Sequence, residues 1–330
     1  MDYREPIAEL RRAARIVMTT HVKPDADALG SIAALRRWLV GLGHTVEVIV
    51  PSPPASKYSF LDPDGVVKVA GRDVSLGRVV PPDLVCVIDT CTWLQLAGMA
   101  PLVGRSGAPV LVIDHHLTHD ALADWRLVDA DAPATAVLVH RLLVEAGAAI
   151  DGPTATYLFA GLAADTDWFR LPNTGDDTLR LAAELVEAGA DPPMVYEKMN
   201  LSDELPKLQL LGRAIGTIRP ALGGRAMVMR LTRGLFRELG TDVGDTENLI
   251  NECMKVRGTE VGVMLVEADG DTVRLSLRSR PPVDVLKVAE RFGGGGHRRA
   301  AGAKLNGTLD RAEEQVLAVV AEVLAEAEEM

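Results

Sequence analysis

The first half of the chain interleaves short apolar runs with stretches of helical periodicity. The runs are "RIVMTTH" at 15–21, which ends in polar residues, "TVEVIV" at 45–50, cut off by "PSPP", "DLVCVIDT" at 83–90 and "PVLVIDHH" at 109–116. The last two are continuous apolar runs, which fit strands buried on both faces of a parallel sheet. Helical spacing appears in "ALGSIAALRRWLVGLG", at 135–146, at 153–164 and in "DDTLRLAAELVEAG". Strands alternating with helices predict an α/β fold with a doubly wound, mostly parallel sheet over residues 1–190. "DPPMVYEKMNLSDELPKLQLLGRAI" at 191–215 reads as a helical linker. The pattern then changes. "RAMVMRL" and "GVMLVEADGDTVRLSLRS" alternate as antiparallel strands do, the latter as a hairpin turning at Asp269-Gly270-Asp271. Helices are expected at 245–256 and 283–292, and "DRAEEQVLAVVAEVLAEAEE" is an amphipathic tail helix whose acids form a solvated face. A smaller α/β domain over 216–330 is predicted.

Composition narrows the function. A length of 330 residues fits two domains. With 48% hydrophobic and only 4% aromatic residues, aliphatic side chains must build the core. Acids outnumber bases 46 to 35, for a net charge of −11. A protein that tracks long nucleic acid usually presents a basic surface, so a phosphate-bearing partner here should be small, or held by local basic groups or metal. Cys86, Cys91 and Cys253 are odd in number and unevenly spaced, which reads as buried reduced thiols in a cytoplasmic protein. The N-terminal "MDYREPIAELRRAARIV" is a charged helical start rather than a signal peptide. No apolar run reaches the ~18 residues of a membrane span, so no membrane partner is expected. The sequence is compatible with a homodimer.

Three predicted strands end on acids or histidines: "THVKPDADALGS" brings His21, Asp25 and Asp27, "VIDT" brings Asp89, and "VIDHH" brings Asp114, His115 and His116. A further acid, Asp165, sits where the apolar helix "YLFAGLAADTDWF" stops. Ligands of open parallel sheets bind beyond the carboxyl ends of the strands, so these side chains are expected to converge. Carboxylates brought together alone repel and hold their protons, and divalent cations remove that penalty. His21, Asp25, Asp27, Asp89, His115 and Asp165 can hold two metal ions, with Asp89, alone at a central strand end, bridging them. Mixed imidazole and carboxylate ligation suits manganese. His44 and His140 are assigned no role, and His119 is near the site in sequence only.

The residues "HVKPDADALGS", "VIDT", "DHH" and "AADTDWF", in that order, resemble the DHH phosphoesterase superfamily. "SLRS" and "GGGGHRRAAG" in the second half resemble the DHHA1 domain signature. The likeness runs over essentially the whole chain, and the compact length is similar to the branch that degrades nanoRNA and dephosphorylates 3′-phosphoadenosine 5′-phosphate (pAp), some members of which also handle pApA or cyclic di-AMP. Two departures stand out: Ala26 lies between Asp25 and Asp27 where glycine is frequent, and Asp167 occupies the glycine place of Asp-Thr-Gly. The resemblance implies one ion held by His21, Asp25 and Asp89, and another by Asp27, Asp89, His115 and Asp165. It leaves His116 free to act at the leaving group, with Asp114 orienting a histidine.

Gly293, Gly294, Gly295 and Gly296 followed by His297, Arg298 and Arg299 suggest a backbone nest for an anion, although a glycine run after a helix is also the usual helix stop. Joined to the metal half, this run is expected to bind substrate together with Arg278 and Ser279, which makes small nucleotides and short RNA the preferred partners. The leading expectation is two-metal phosphoester hydrolysis, as a 3′–5′ oligoribonuclease, a bisphosphate nucleotidase and a cyclic-di-AMP phosphodiesterase. A manganese pyrophosphatase and a non-catalytic nucleotide sensor are the alternatives.

Overall fold

Each apolar run of the first half becomes a strand, and the helical stretches return the chain between them. In the computed structural model, which describes residues 1–105, 107–268 and 270–328, the strands are β1 (Arg15–Thr19), β2 (Thr45–Val50), β3 (Val67–Val69), β4 (Leu84–Ile88), β5 (Val110–Asp114) and β6 (Trp125–Val128). The helices are α1 (Arg4–Arg12), α2 (Ala26–Gly41), the short α3 (Trp93–Leu96) and α4 (Ala100–Arg105), α5 (Thr135–Glu145), α6 (Gly152–Asp165), α7 (Asp176–Glu187) and α8 (Pro192–Asn200). The six strands form one sheet in the order β3-β2-β1-β4-β5-β6, and every pair in it is parallel. Both faces are covered. Ile16, Met18, Cys86, Ile88, Leu111 and Ile113 face one core. Val17, Val85, Val87, Val110 and Val112 face the other. That double burial is why these strands read as continuous apolar runs. The strand order reverses direction between β1 and β4, the switch point at which such sheets bind ligands.

A contact boundary falls between Met1–Ser202 and Asp203–Met330. The segment read as a linker is shared between the units. Val195 of α8 is buried in the first core, whereas Leu210 and Ala214 of α9 (Leu205–Ile215) belong to a core of the second.

The second unit has strands β7 (Arg219–Ala221), β8 (Ala226–Leu231), β9 (Val261–Ala268), β10 (Thr272–Ser279), β11 (Gly295–His297) and β12 (Ala300–Asn306). Its helices are α10 (Arg233–Leu239), α11 (Asn251–Met254), α12 (Leu286–Arg291) and α13 (Leu309–Glu328). The sheet order is β11-β12-β10-β9-β8-β7, antiparallel except for β8 with β9. The expected hairpin is β9–β10, and Gly270 and Asp271 hold the left-handed backbone of its turn (φ +68° and +51°), while Asp269 lies outside the described residues. Two expectations change. β8 and β9, which pair in parallel, do not alternate, because Ala226, Val228, Val263 and Leu265 enter one core and Met227, Met229, Met264 and Val266 the other. The helix expected at 245–256 is broken: a 3-10 turn at Val243–Thr246 is followed by Asn248 with φ +64° and then by four residues of α11.

Candidate metal centre

The chemistry-bearing residues of the first unit sit at one edge of its sheet. His21 follows β1, Asp89 follows β4, and Asp114 ends β5 with His115 and His116 directly after it. Asp25 is the N-cap of α2, its carboxylate accepting from the amides of Asp27 and Ala28. Asp27 lies in the first turn of that helix, and Asp165 is the last residue of α6. α6 can approach Asp27 because Gly161 has no side chain: a Cβ there would lie 2.6 Å from Asp27 Oδ1. Asp89 has φ +62°, a left-handed conformation that is unusual for a residue other than glycine and frequent at functional sites.

The two candidate histidine ligands are oriented alike. His21 Nδ1 lies 2.8 Å from the carbonyl of Val22, and His115 Nδ1 lies 3.1 Å from the carbonyl of Ala132. A carbonyl only accepts, so Nδ1 carries the proton in both rings and Nε2 is turned to the acids. His21 Nε2 is 3.4 Å from Asp89 Oδ2 and 3.9 Å from Asp25 Oδ1. His115 Nε2 is 3.0 Å from Asp165 Oδ2 and 3.6 Å from Asp89 Oδ1. The contact with Asp165 lacks hydrogen-bond alignment, which leaves the buried Nε2 of His115 without a hydrogen-bond partner. His116 is turned the other way: its Nδ1 lies 2.7 Å from Asp114 Oδ1, and its ring is about half exposed.

Electrostatics set these residues apart. Asp27 is fully buried and Asp89 nearly so, at 0% and 2% exposure. Burial, and the charges of Asp89 and Asp165, push Asp25 up to about 6 and Asp27 well above the usual carboxylate range. Burial opposes charge on His21, but its bond to Asp89 and the charge of Asp25 prevail and raise it to about 9. Burial likewise opposes charge on His115, but Asp165, Asp27 and Asp89 raise it to about 10. Packed this closely, Asp25, Asp27, His21 and His115 all favour their protonated forms. Asp114 behaves differently: burial would raise it, yet the hydrogen bonds of His116 and Cys91 hold it below the usual range.

Three donor groups converge within 4.8 Å: His21, Asp25 and Asp89; Asp27, His115 and Asp165; and Asp89, His115 and His116. Imidazole Nε2 atoms and carboxylate oxygens with no thiolate suit a divalent ion of hard to borderline character. The buried Nε2 of His115, ion-paired with Asp165 but without a hydrogen bond, and acids that favour their protonated forms are what such an ion would satisfy, so the residues present fit metal. All six expected ligands are brought together. His119 is exposed and belongs to none of these groups. Sequence reasoning missed Thr135, whose hydroxyl donates to Asp89 Oδ1 at 2.7 Å. As the first residue of an expected helix it gave no sign of facing an acid on another element.

In the second unit the glycine run has backbone reasons of its own. The amide of Gly293 bonds to the carbonyl of Glu290 and that of Gly294 to the carbonyl of Ala289, with Gly293 at φ +69°. This is the glycine stop of α12. A Cβ on Gly294 would lie 2.1 Å from the carbonyl oxygen of Gly302, and one on Gly296 2.5 Å from that of Ala300. Gly295 faces open space, and His297 and Arg298 are exposed around the turn into β12. Arg298 lies 3.7 Å from Asp284. Arg278 is half-buried, with Nη1 3.1 Å from the carbonyl of Leu277. Ser279 donates to the carbonyl of Val283 at 2.7 Å.

Comparisons with known proteins follow the same two-part division. Residues 15–162 match the DHH family N-terminal domain, and residues 223–326 match the DHHA1 domain. The chain is 30% identical over 324 residues to the bifunctional oligoribonuclease and PAP phosphatase NrnA of Thermus thermophilus, covering 97% of this chain and 94% of that relative. It is 27% identical over 293 residues to the Bacillus subtilis protein of the same name, covering 88% and 89%. Its fold is similar to the crystal structure of an exopolyphosphatase-related protein from Bacteroides fragilis, with a TM-score of 0.91 at 23% identity, covering 97% of this chain and 95% of that one.

Proposed function

The chain belongs to the family that joins a DHH domain to a DHHA1 domain, and from that membership we propose that it is a metal-dependent phosphoesterase acting on short oligoribonucleotides and on pAp. The observation that carries the reading is the convergence of His21 and His115, both presenting Nε2, on acids that share Asp89. His21, Asp25 and Asp89 would hold one divalent cation, and Asp27, Asp89, His115 and Asp165 a second, with manganese suited to both. Bound there, such a pair would lower the pKa of a water so that it loses a proton and attacks phosphorus in line, and would neutralise the phosphoryl oxygens.

The remaining steps belong to the chain. Asp114 fixes the proton of His116 on Nδ1 and raises the pKa of the ring. His116 Nε2 is then the atom that gives a proton to the leaving oxygen, or stabilises its charge. The second unit reads the remote part of the nucleotide through Arg278, Ser279, His297, Arg298 and the glycine run of Gly293, Gly294, Gly295 and Gly296, in which the amides of Gly293 and Gly294 are already taken by the stop of α12. Net charge −11 disfavours long polyanions and supports a preference for short ones. Cyclic di-AMP, with the same phosphodiester in a small ring, falls in the proposed range. A cytoplasmic setting belongs to the same proposal, since Cys86, Cys91 and Cys253 are buried free thiols. Among the described residues no helix is long and apolar enough to cross a membrane.

The test is a turnover panel of pAp, pApA, cyclic di-AMP and pyrophosphate in Mn2+ and in EDTA, run beside Asp89→Ala. Turnover of pAp and pApA in Mn2+, lost in EDTA and in the variant, is expected. Activity unaffected by EDTA, or preference for pyrophosphate, overturns the proposal.

A further inference from the structure

α5 begins without a side-chain cap of its own. The amides of its first turn go to an acid on another helix instead: Thr135 N lies 2.6 Å from Asp27 Oδ2, and Ala136 N 2.9 Å from Asp27 Oδ1. The hydroxyl of the same threonine donates to Asp89 Oδ1 at 2.7 Å. One residue thus touches two carboxylates that come from α2 and from the end of β4. Thr135 and Asp27 are both 0% exposed and Asp89 is 2% exposed, so bulk solvent does not reach these bonds.

Two acids crowded in such a place repel and turn away from each other unless fixed donors hold them. Amides at a helix N-terminus are donors of that kind, since they do not titrate and carry the positive end of the helix dipole. The hydroxyl adds a choice between the two oxygens of Asp89. It takes Oδ1, the oxygen 3.6 Å from His115 Nε2, and leaves Oδ2 to His21 at 3.4 Å. With the carboxylate plane fixed in this way, Asp89 offers one oxygen to each side of the centre.

We propose that Thr135 is a positioning residue of the metal centre, whose hydroxyl sets the rotation of Asp89 so that both donor groups are complete at once. The proposal rests on the metal-dependent reading above. Thr135→Val keeps the shape and the amides and removes only the hydroxyl. Thr135→Ser keeps the hydroxyl and removes the methyl.

The experiment is calorimetric titration of the full-length, metal-free chain with Mn2+ for wild type and both variants, with thermal unfolding as a check of folding. In Thr135→Val the Kd of at least one Mn2+ should rise roughly tenfold or more, the loss of one hydrogen bond to a charged group. The Mn2+ concentration for half-maximal turnover should rise in parallel, with the KM for pApA at saturating Mn2+ unchanged. Thr135→Ser should return Mn2+ affinity to near the wild-type value. Wild-type Mn2+ binding in Thr135→Val overturns the assignment. So does Thr135→Ser binding as weakly as Thr135→Val, which would mean that the methyl group and not the hydroxyl matters. A wild-type chain that takes up no Mn2+ overturns the metal centre itself, a failure distinct from either of these.

Discussion

Nδ1 of His116 lies 2.7 Å from Oδ1 of Asp114, while the adjacent His115 turns its Nδ1 to a backbone carbonyl. Both rings thereby leave Nε2 free, but in different surroundings: that of His115 is buried 3.0 Å from Asp165, whereas the ring of His116 is about half exposed. His115→Ala should weaken Mn2+ binding by an order of magnitude or more, since loss of a mere hydrogen-bonded partner of a ligand already costs about 10–100-fold. His116→Ala should keep Mn2+ affinity and lower kcat by about 10²-fold or more, the usual contribution of a positioned acid. Titration of both variants with Mn2+ decides the matter, and equal loss in the two would refute the division.

The close approach of α6 to Asp27 predicts the effect of filling it. Gly161→Ala puts a methyl 2.6 Å from Asp27 Oδ1 and 2.9 Å from Ala136 Cβ, where buried neighbours cannot yield. Stability should fall by about 1–3 kcal/mol, as in other overpacked cores, and Mn2+ affinity should fall with it. Gly212→Ala is the control, because a Cβ in that part of α9 meets nothing within 4 Å. It should raise stability by up to about 1 kcal/mol through helix propensity. Urea unfolding of the metal-free chains measures both.

Binding of metal should release protons. His21 and His115 are raised to about 9 and about 10 in the folded metal-free chain, and Asp25 to about 6. Raised folded values mean that the native state binds more protons than the unfolded one. The stability from the histidines is therefore fully present below about pH 6.5 and is lost as pH rises toward 9–10. Metal binds the deprotonated histidines, so Mn2+ affinity should climb over that same window. Calorimetry in two buffers of different ionisation enthalpy should show net proton release at pH 7.5 that shrinks above pH 9. Proton release that does not change with pH would contradict the raised values.

Asp167 sits where the family pattern favours glycine, and its φ is +47°, followed by Trp168 and Phe169 at +56° and +65°. The left-handed backbone disfavours a Cβ by about 1–2 kcal/mol, less for Asp than for Ala. Asp167 also pairs with the exposed Arg170, a contact worth little at the surface. Asp167→Gly should be at least as stable as the wild type and Asp167→Ala less stable, by about 1 kcal/mol in urea unfolding. Ala matching Gly would mean that the turn relaxes out of the left-handed region.

The glycine run offers a way to separate folding from recognition. Gly296→Ala is strained, with φ +139° and a clash at 2.5 Å, and should lower stability. His297→Ala removes an exposed side chain and should leave stability unchanged. If His297 reads the nucleotide, kcat/KM for pApA should fall about ten- to a hundredfold, while bis-p-nitrophenyl phosphate is little affected. Equal loss on both substrates would assign His297 to the chemistry instead.

The sequence alone determined the doubly wound first unit, because strands buried on both faces must be apolar along their length, as in Leu84–Ile88 and in residues 110–113 ahead of Asp114. It also pointed to one edge for His21, Asp89, Asp114, His115 and His116, because strand ends of a parallel sheet share that edge, whereas Asp25 and Asp27 at the start of α2 and Asp165 at the end of α6 reach it only through helix packing. The weaker strands escaped notice. β12 alternates through Ala301, Ala303 and Leu305, and alanine has little strand preference of its own, so only pairing with β10 makes it a strand. All four glycines in the run had two readings in sequence, and only the carbonyls of Ala289, Glu290, Gly302 and Ala300 show what the backbones of Gly293, Gly294 and Gly296 meet. Nor could sequence reveal which nitrogen of each histidine faces the acids, or that Thr135 holds Asp27 and Asp89 together. The bonds of His115 and Thr135 join residues 17 to 108 positions apart, and no local pattern encodes a partner at such a distance; those of His21 and His116 are local, but the side-chain rotamers that make them are set by tertiary packing.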